Sequence, residues 1–387
     1  MKKSALFSLF IVIVSTLVLY LSPIISDGFR PTAYANQTFV KAWVDEVLVE
    51  QVQPDVMAPN TLTGRQRLLV RYQDEHNAWQ QVEVENSLSR LHNVHVAEGD
   101  RFIMLIRGES ERVVYWPFNH DRANAVYWMV GIVVVLIILL AGIQGLNSVI
   151  SLYFTSALLV GVLIPAIFAG CHPVWITLLL MALKIIVNFL LIAGWNRKSL
   201  VAMLGTLCGV IVAGVMAQLF GEFAQLNGLY LDKGEDLLYL GGQAQIQIRW
   251  LLFVAIMISA LGAVMDVAIS MVSSYHELRE ANPEQDEKAR LIATVRIGRD
   301  ILGTMTNTLV LAFVGSALTT MMMVWGFQMP VMQFMNIPAI ALAMIHALAG
   351  SIGLILTVPM TVAISSFVYH RHGDNRNGGG STATEQP

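Results

Sequence analysis

Seven apolar stretches between Ala123 and Tyr369, each long enough to cross a lipid bilayer, and an eighth that begins near the N-terminus leave this chain few folds to choose from. A crossing helix needs about 20 apolar residues, and only helices or closed barrels satisfy their own backbone in lipid. The stretches fall near residues 5–21, 125–142, 148–168, 174–194, 200–220, 250–272, 301–326 and 340–368. They predict a mainly α polytopic membrane protein with about eight transmembrane helices, numbered here as spans 1 to 8. Composition agrees: 55% of residues are hydrophobic and 13% charged, against roughly 25% charged in soluble proteins. The two cysteines, Cys171 and Cys208, exclude a disulfide framework or a cysteine-based metal site.

Residues 1–35 read as a signal anchor or a signal peptide. Ala33-Tyr34-Ala35 has the small-x-small pattern of a cleavage site, yet the apolar run exceeds the usual signal length and Pro23 to Pro31 set the site far downstream. From 36 to 122 the pattern alternates. Phe39 to Val44, Leu68 to Tyr72, Trp79 to Val84 and Phe102 to Ile106 are candidate strands, with a hairpin turn at Asp74 to Asn77 and another turn at Glu98-Gly99-Asp100 before the last strand pair. This predicts a small β-rich extracytoplasmic domain between spans 1 and 2, a barrel or sandwich, with an OB-like barrel among the forms open to it. The domain lacks the aromatic and basic interleaving of a nucleic-acid surface. It is expected to bind a protein partner or gate the membrane domain, with direct ligand capture as the alternative.

Residues 123–369 form the seven-helix membrane domain, and 370–387 a polar tail expected to be disordered and cytoplasmic. With Lys2 and Lys3 inside, Arg197, Lys198 and the basic loop from Arg279 to Arg299 also fall inside. The positive-inside bias thus supports cytoplasmic N- and C-termini if the first helix is retained. His370-x-His372 makes only a weak metal site.

Mechanism is sought among polar side chains that lipid would penalise. Asp266 lies in span 6, where a central carboxylate costs about 2.5 to 3.5 kcal/mol, and spacing of four aligns it with Gly262, Ser270 and Ser274. It reads as a cation or proton site, or as a carboxylate satisfied between helices. In span 7, Asp300, Thr304, Asn307 and Thr308 follow steps of three and four, with Gly303 and Gly315 allowing close approach. Asp300 could also be a first-turn acid at a helix start. Such oxygen ligands suit sodium, magnesium or a proton. Lys184 in span 4, with Asn188 one turn on, needs a partner, and an ion pair with Asp266 is the specific expectation. His346 in span 8 is a candidate proton carrier or a histidine bonded to a neighbouring helix. The ladder Gly205, Gly209, Ala213, Ala217, Gly221 in span 5 predicts close helix packing within the chain or across a homo-oligomer seam. No metalloprotease, Walker A, nucleophile-elbow or dinucleotide motif occurs in the sequence, and ATP-driven coupling in this chain is not expected.

Two segments, Met265-Asp266-Val267-Ala268-Ile269-Ser270 with the following Glu277-Leu278 and Asn282-Pro283, and Gly298-Arg299-Asp300-Ile301-Leu302-Gly303-Thr304-Met305-Thr306-Asn307-Thr308-Leu309, resemble the YibE/F family of bacterial multitransmembrane proteins. The resemblance extends from about Ala123 to His370, and the β-rich segment is also like that family's. It implies a bacterial cell (cytoplasmic) membrane and carries over no catalytic residue. The expected function is an ion-gradient-driven transporter or permease with a polar site between spans 6 and 7. The alternative is a non-transporting scaffold or accessory subunit acting through its extracytoplasmic domain. A third class, an intramembrane enzyme using Asp266 and Asp300, is the least favoured.

Overall fold

The computed structural model describes residues 2–29, 37–74, 76–109, 112–240 and 246–370. Ala33-Tyr34-Ala35, His372 and the tail beyond it lie outside the described residues. The chain divides into one unit of Thr32–Leu139 and another of Met1–Pro31 with Leu140–Pro387.

The first unit is built on a five-stranded antiparallel sheet. Its strands are β1 (Gln37–Pro54), β2 (Leu62–Gln73), β3 (Trp79–Leu88), β4 (Arg101–Glu109) and β5 (Arg112–His120), in the order β3-β2-β1-β4-β5. The edge strands β3 and β5 approach each other, so the sheet curls. Alternation places Ala42, Val44, Leu68, Val70, Val84, Phe102 and Met104 on the buried face. Bulges at Val44/Glu46 and Val47/Val49 bend the long β1 between β4 and β2. Where β1 passes β2, only glycine fits at Gly64: φ is 135°, and a Cβ would collide with the Gln51 carbonyl. β5 is the strand whose residues the alternation did not single out. Pro117 interrupts its pattern, and an edge tolerates the missing N–H, with a register shift at Ile103/Met104 opposite it.

One polar network sits inside this core. Gln66 donates from Nε2 to the Val96 carbonyl (2.9 Å) and accepts at Oε1 from Asn86 Nδ2 (3.0 Å), while Asn86 also donates to the Val94 carbonyl (2.8 Å). It ties the irregular segment before β4 to the sheet. The Asp74 turn forms as expected, with Asp74 Oδ1 accepting from the His76 and Ala78 amides and Asn77 left-handed at φ 59°.

The helices are α1 (Lys2–Ser26), α2 (Ala123–Leu158), α3 (Ile164–Phe168), α4 (Pro173–Ile192), α5 (Arg197–Phe223), α6 (Asp236–Leu240), α7 (Leu251–Ala281), α8 (Glu287–Ser316), α9 (Leu318–Gly326), α10 (Val331–Met335) and α11 (Pro338–His370). Among the described residues, six helical stretches are long and apolar enough to cross a membrane, or seven if the bent pair α8–α9 is one span. Two expectations change in detail. The separate helices 125–142 and 148–168 belong to one helical stretch, Ala123–Phe168, that is interrupted at Gly142 (φ 57°, ψ −129°) and by a π-helical turn at Leu159–Leu163. The single helix 301–326 is instead two, bent by 61° around Ala317.

The core of the helical unit is shared by α4, α5, α7, α8 and α11. The small-residue ladder of α5 is buried along α11: a Cβ at Gly205 would strike Thr361, and one at Gly209 would strike Thr357 and Val264. Ala213 fills the notch at Gly353 on α11. The ladder therefore serves packing within the chain. The 273–299 segment extends α7 and α8 and joins them by a tight turn. Arg290 is buried there and donates from Nη2 to the carbonyls of Gln285 (3.0 Å), Pro283 (3.3 Å) and Asn282 (3.4 Å). A guanidinium can close a turn this way because its donors are fixed in one plane.

Candidate functional site

On α7 almost every direction is covered. Met265 faces α4, Val264 meets α5 at Gly209, and Ala260 faces α11 at Gly350, beside Leu309 of α8. At about 100° per residue, Asp266 points into the gap left between the α4 side and the α8 side. The stripe open there is Ser259, Gly262, Asp266 and, half-covered, Ser270. It is polar or small at every position. A stripe facing hydrocarbon would be the reverse.

The α4 wall of this gap carries Lys184. Its Nζ lies 3.8 Å from Met265 Sδ and interacts electrostatically with Asp266, without the contact of 4 Å or less that defines an ion pair. The expected contact ion pair is not formed; the two charges influence each other only at longer range. Asn188 is buried one turn on; its Nδ2 donates to Met265 Sδ and its Oδ1 accepts from Ser151 Oγ of α2. A second link runs beside it, from Ser8 Oγ of α1 to Asn147 Oδ1 (3.1 Å) and from Asn147 Nδ2 to the Leu191 carbonyl (2.9 Å). Asn147 and Ser151 escaped the sequence reading, and Met265 entered it only as part of a family motif. The spacing of four between Asn147 and Ser151 in an apolar helix was the signal that could have found the first two.

The height of α8 against α7 follows from two contacts. Met271 meets Gly298, and Ala260 and Leu309 flank Gly350, so the same eleven-residue step separates the contacts on both antiparallel helices. Asp266 is then level with Gly303 and Thr304, Gly262 with Asn307, and Ser270 with Arg299 and Asp300. Rotation is set by Gly298 facing inward and by Phe313 stacking on His346 of α11, ring centroids 4.7 Å apart. At 100° per residue, Thr308 falls on the flank away from α11, and Thr304 lies between that flank and the outer side that carries Asp300. Both hydroxyls donate within their own helix, Thr304 to the Ile301 carbonyl (3.0 Å) and Thr308 to that of Thr304 (2.9 Å), which leaves their lone pairs free to accept. The Ser270 hydroxyl donates to the Asp266 carbonyl (2.8 Å) in the same way.

Not every candidate joins this group. Asp300 and Asn307 are exposed on the outer side of α8, opposite Gly298. Asp300 is no first-turn acid, because α8 begins at Glu287. His346 lies by the backbone at Ala255, which is eleven residues, about 16 Å at 1.5 Å per residue, along α7 from Asp266. Among the described residues, no cluster of three His, Cys, Asp or Glu side chains could hold a metal ion. Asp266, the nearby Lys184 ammonium and the Ser270 hydroxyl thus share one open polar face, the crevice, whose chemistry is hard rather than that of a soft-metal site.

No curated protein and no solved structure is detectably similar to the chain. The model of the YibE/F-like protein family matches residues 129–371, well over half of the chain and all of the crevice, and so this protein belongs to the YibE/F-like family.

Proposed function

We propose that the protein is an ion-gradient-driven transporter or permease of the bacterial cell membrane, not an enzyme, with eight spans and both termini cytoplasmic. The observation that carries this reading is the open α7 stripe: Ser259, Gly262 and Asp266 are exposed on a helix otherwise covered by its neighbours, and Lys184 of α4 interacts electrostatically with Asp266. A carboxylate and an ammonium that influence each other without contact can each exchange its partner for a passing cation or anion, which is the elementary step of coupled transport. The count of eight takes the bent pair α8–α9 as one span and divides Ala123–Phe168 at Gly142. Ala123–Phe168 has 46 residues, about 69 Å of helix, whereas the hydrocarbon core is about 30 Å thick. The β-domain, placed outside by the positive-inside argument, would gate the crevice or recruit a partner.

A second reading has its own observation. Asn307, with no hydrogen bond among the described residues, and Asp300 are exposed on α8 where lipid would penalise them. A membrane scaffold, homo-oligomeric or bound to another subunit, would cover that face.

Thermal stability of the detergent-purified protein across pH and a panel of monovalent and divalent cations, run beside Asp266→Asn, separates the two. A ligand at 100 times its dissociation constant stabilises by about 2.7 kcal/mol. The transporter reading expects one ion to stabilise the parent and leave Asp266→Asn unmoved, and the parent but not the variant to carry that ion into proteoliposomes. Equal ion responses in both proteins, with assembly intact, would leave the scaffold.

A further inference from the structure

At the start of α5 the chain builds a second site unrelated to the crevice. Gly194, left-handed at φ 71°, reverses the chain after α4. Asn196 then caps α5: its Oδ1 accepts from the Ser199 amide (2.8 Å), its Nδ2 donates to the Ala193 carbonyl (2.7 Å), and Ser199 Oγ donates to the Gly194 carbonyl (2.6 Å). This turn is closed on itself and needs no outside partner. Beside it lies a cavity of about 290 Å³ lined by Trp195, Asn196, Arg197, Ser199, Leu200 and Met203.

The lining is divided by chemistry. At the mouth, the Arg197 guanidinium is exposed and makes no hydrogen bond or ion pair among the described residues, and the Trp195 indole is 84% exposed. Leu200 and Met203 continue the wall one to two turns along α5, toward the middle of its apolar span. A basic head, an interfacial indole and an apolar wall leading along a membrane-crossing helix match the parts of one molecule class.

We infer that this cavity binds an anionic phospholipid, the phosphate on Arg197 and an acyl chain along Leu200 and Met203. A free phosphate would use Arg197 alone and leave the apolar wall without a role. The site is independent of the transporter reading and of Asp266.

The test is native mass spectrometry and thermal shift of the full chain in neutral detergent. Dioleoyl phosphatidylglycerol, dioleoyl phosphatidylcholine and inorganic phosphate are compared. Phosphatidylglycerol is expected to be retained and to raise Tm beyond phosphatidylcholine, and inorganic phosphate to do neither. Arg197→Gln should reduce that preference by about fivefold. Salt near 1 M, where the screening length is about 3 Å, should erase it in the parent, a readout that does not depend on the variant folding. Equal response to the two lipids, a shift reproduced by inorganic phosphate, or a preference untouched by both Arg197→Gln and salt would each overturn the assignment.

Discussion

Two stripes in the helical unit look alike in sequence and end differently. On α5, Gly205, Gly209, Ala213, Ala217 and Gly221 repeat every fourth residue; on α7, Gly262, Asp266, Ser270 and Ser274 do the same. The α5 stripe is buried, with Thr357 and Thr361 of α11 seated where its side chains are missing. The α7 stripe is open at Gly262 and Asp266, and a Cβ at Gly262 would meet nothing within 4 Å. Close approach of backbones is what small residues permit, and α5 uses it in full. On α7 the same spacing keeps a polar surface clear.

The sharpest way to break this comparison is to add volume to each stripe. Gly209→Leu should cost about 3 kcal/mol, because the new side chain meets Thr357, Val264 and the Gly353 carbonyl in a packed seam. Gly262→Leu should cost less than about 0.5 kcal/mol and still abolish any ion response of the crevice. Denaturation in detergent reads the first, and the cation panel reads the second. Comparable losses of stability would mean that the α7 stripe is packed in the assembled protein, and the contrast would fall.

A comparable effect is expected at the turn that sets α8 against α7. Arg290→Met leaves the carbonyls of Gln285, Pro283 and Asn282 without their donor and should cost about 2 to 3 kcal/mol. If Arg290 fixes the height of α8 beside α7, the variant should also weaken the ion response, measured after correcting for the folded fraction. A variant that melts early with an unchanged ion response would separate the turn from the crevice.

The smallest effect serves as a control in the β-domain, away from both stripes. The Arg90 side chain, bonded to Asp55 at 2.7 Å, and the Met57 and Ala58 amides hold the Asp55 carboxyl below its ordinary range. A depressed carboxylate contributes stability that is complete above its unfolded value of about 4 and is lost as pH falls through the lower folded value. Unfolding of the β-domain, followed by tryptophan fluorescence, should become easier with acid only below about pH 4. Asp55→Asn should flatten that part of the profile.

Much of this is legible in the sequence. Asp266 and Lys184 stand out because an ionised group in an apolar run has few tolerable surroundings, and the resemblance carried by residues 265–309 agrees with the family match. Asp300 misled because its context reads as a helix start, and only the long α8 reveals it as interior. β5 was obscured by Pro117, which an edge accepts and a central strand would not. His346 looked like a member of the site by chemistry alone, and its distance along α7 is a property of packing.

The sequence by itself determined the apolar spans, the alternation of the β-domain and the costly polar residues, because each follows from local periodicity and from the price of polar groups in lipid. Tertiary structure decided which stripe is sealed and which stays open. Spacing of four puts residues on one face of a helix, but the neighbour that face meets depends on how the helix is rotated in the bundle. That rotation is set by contacts between residues far apart in the chain, such as Gly209 with Thr357 and Met265 with Asn188.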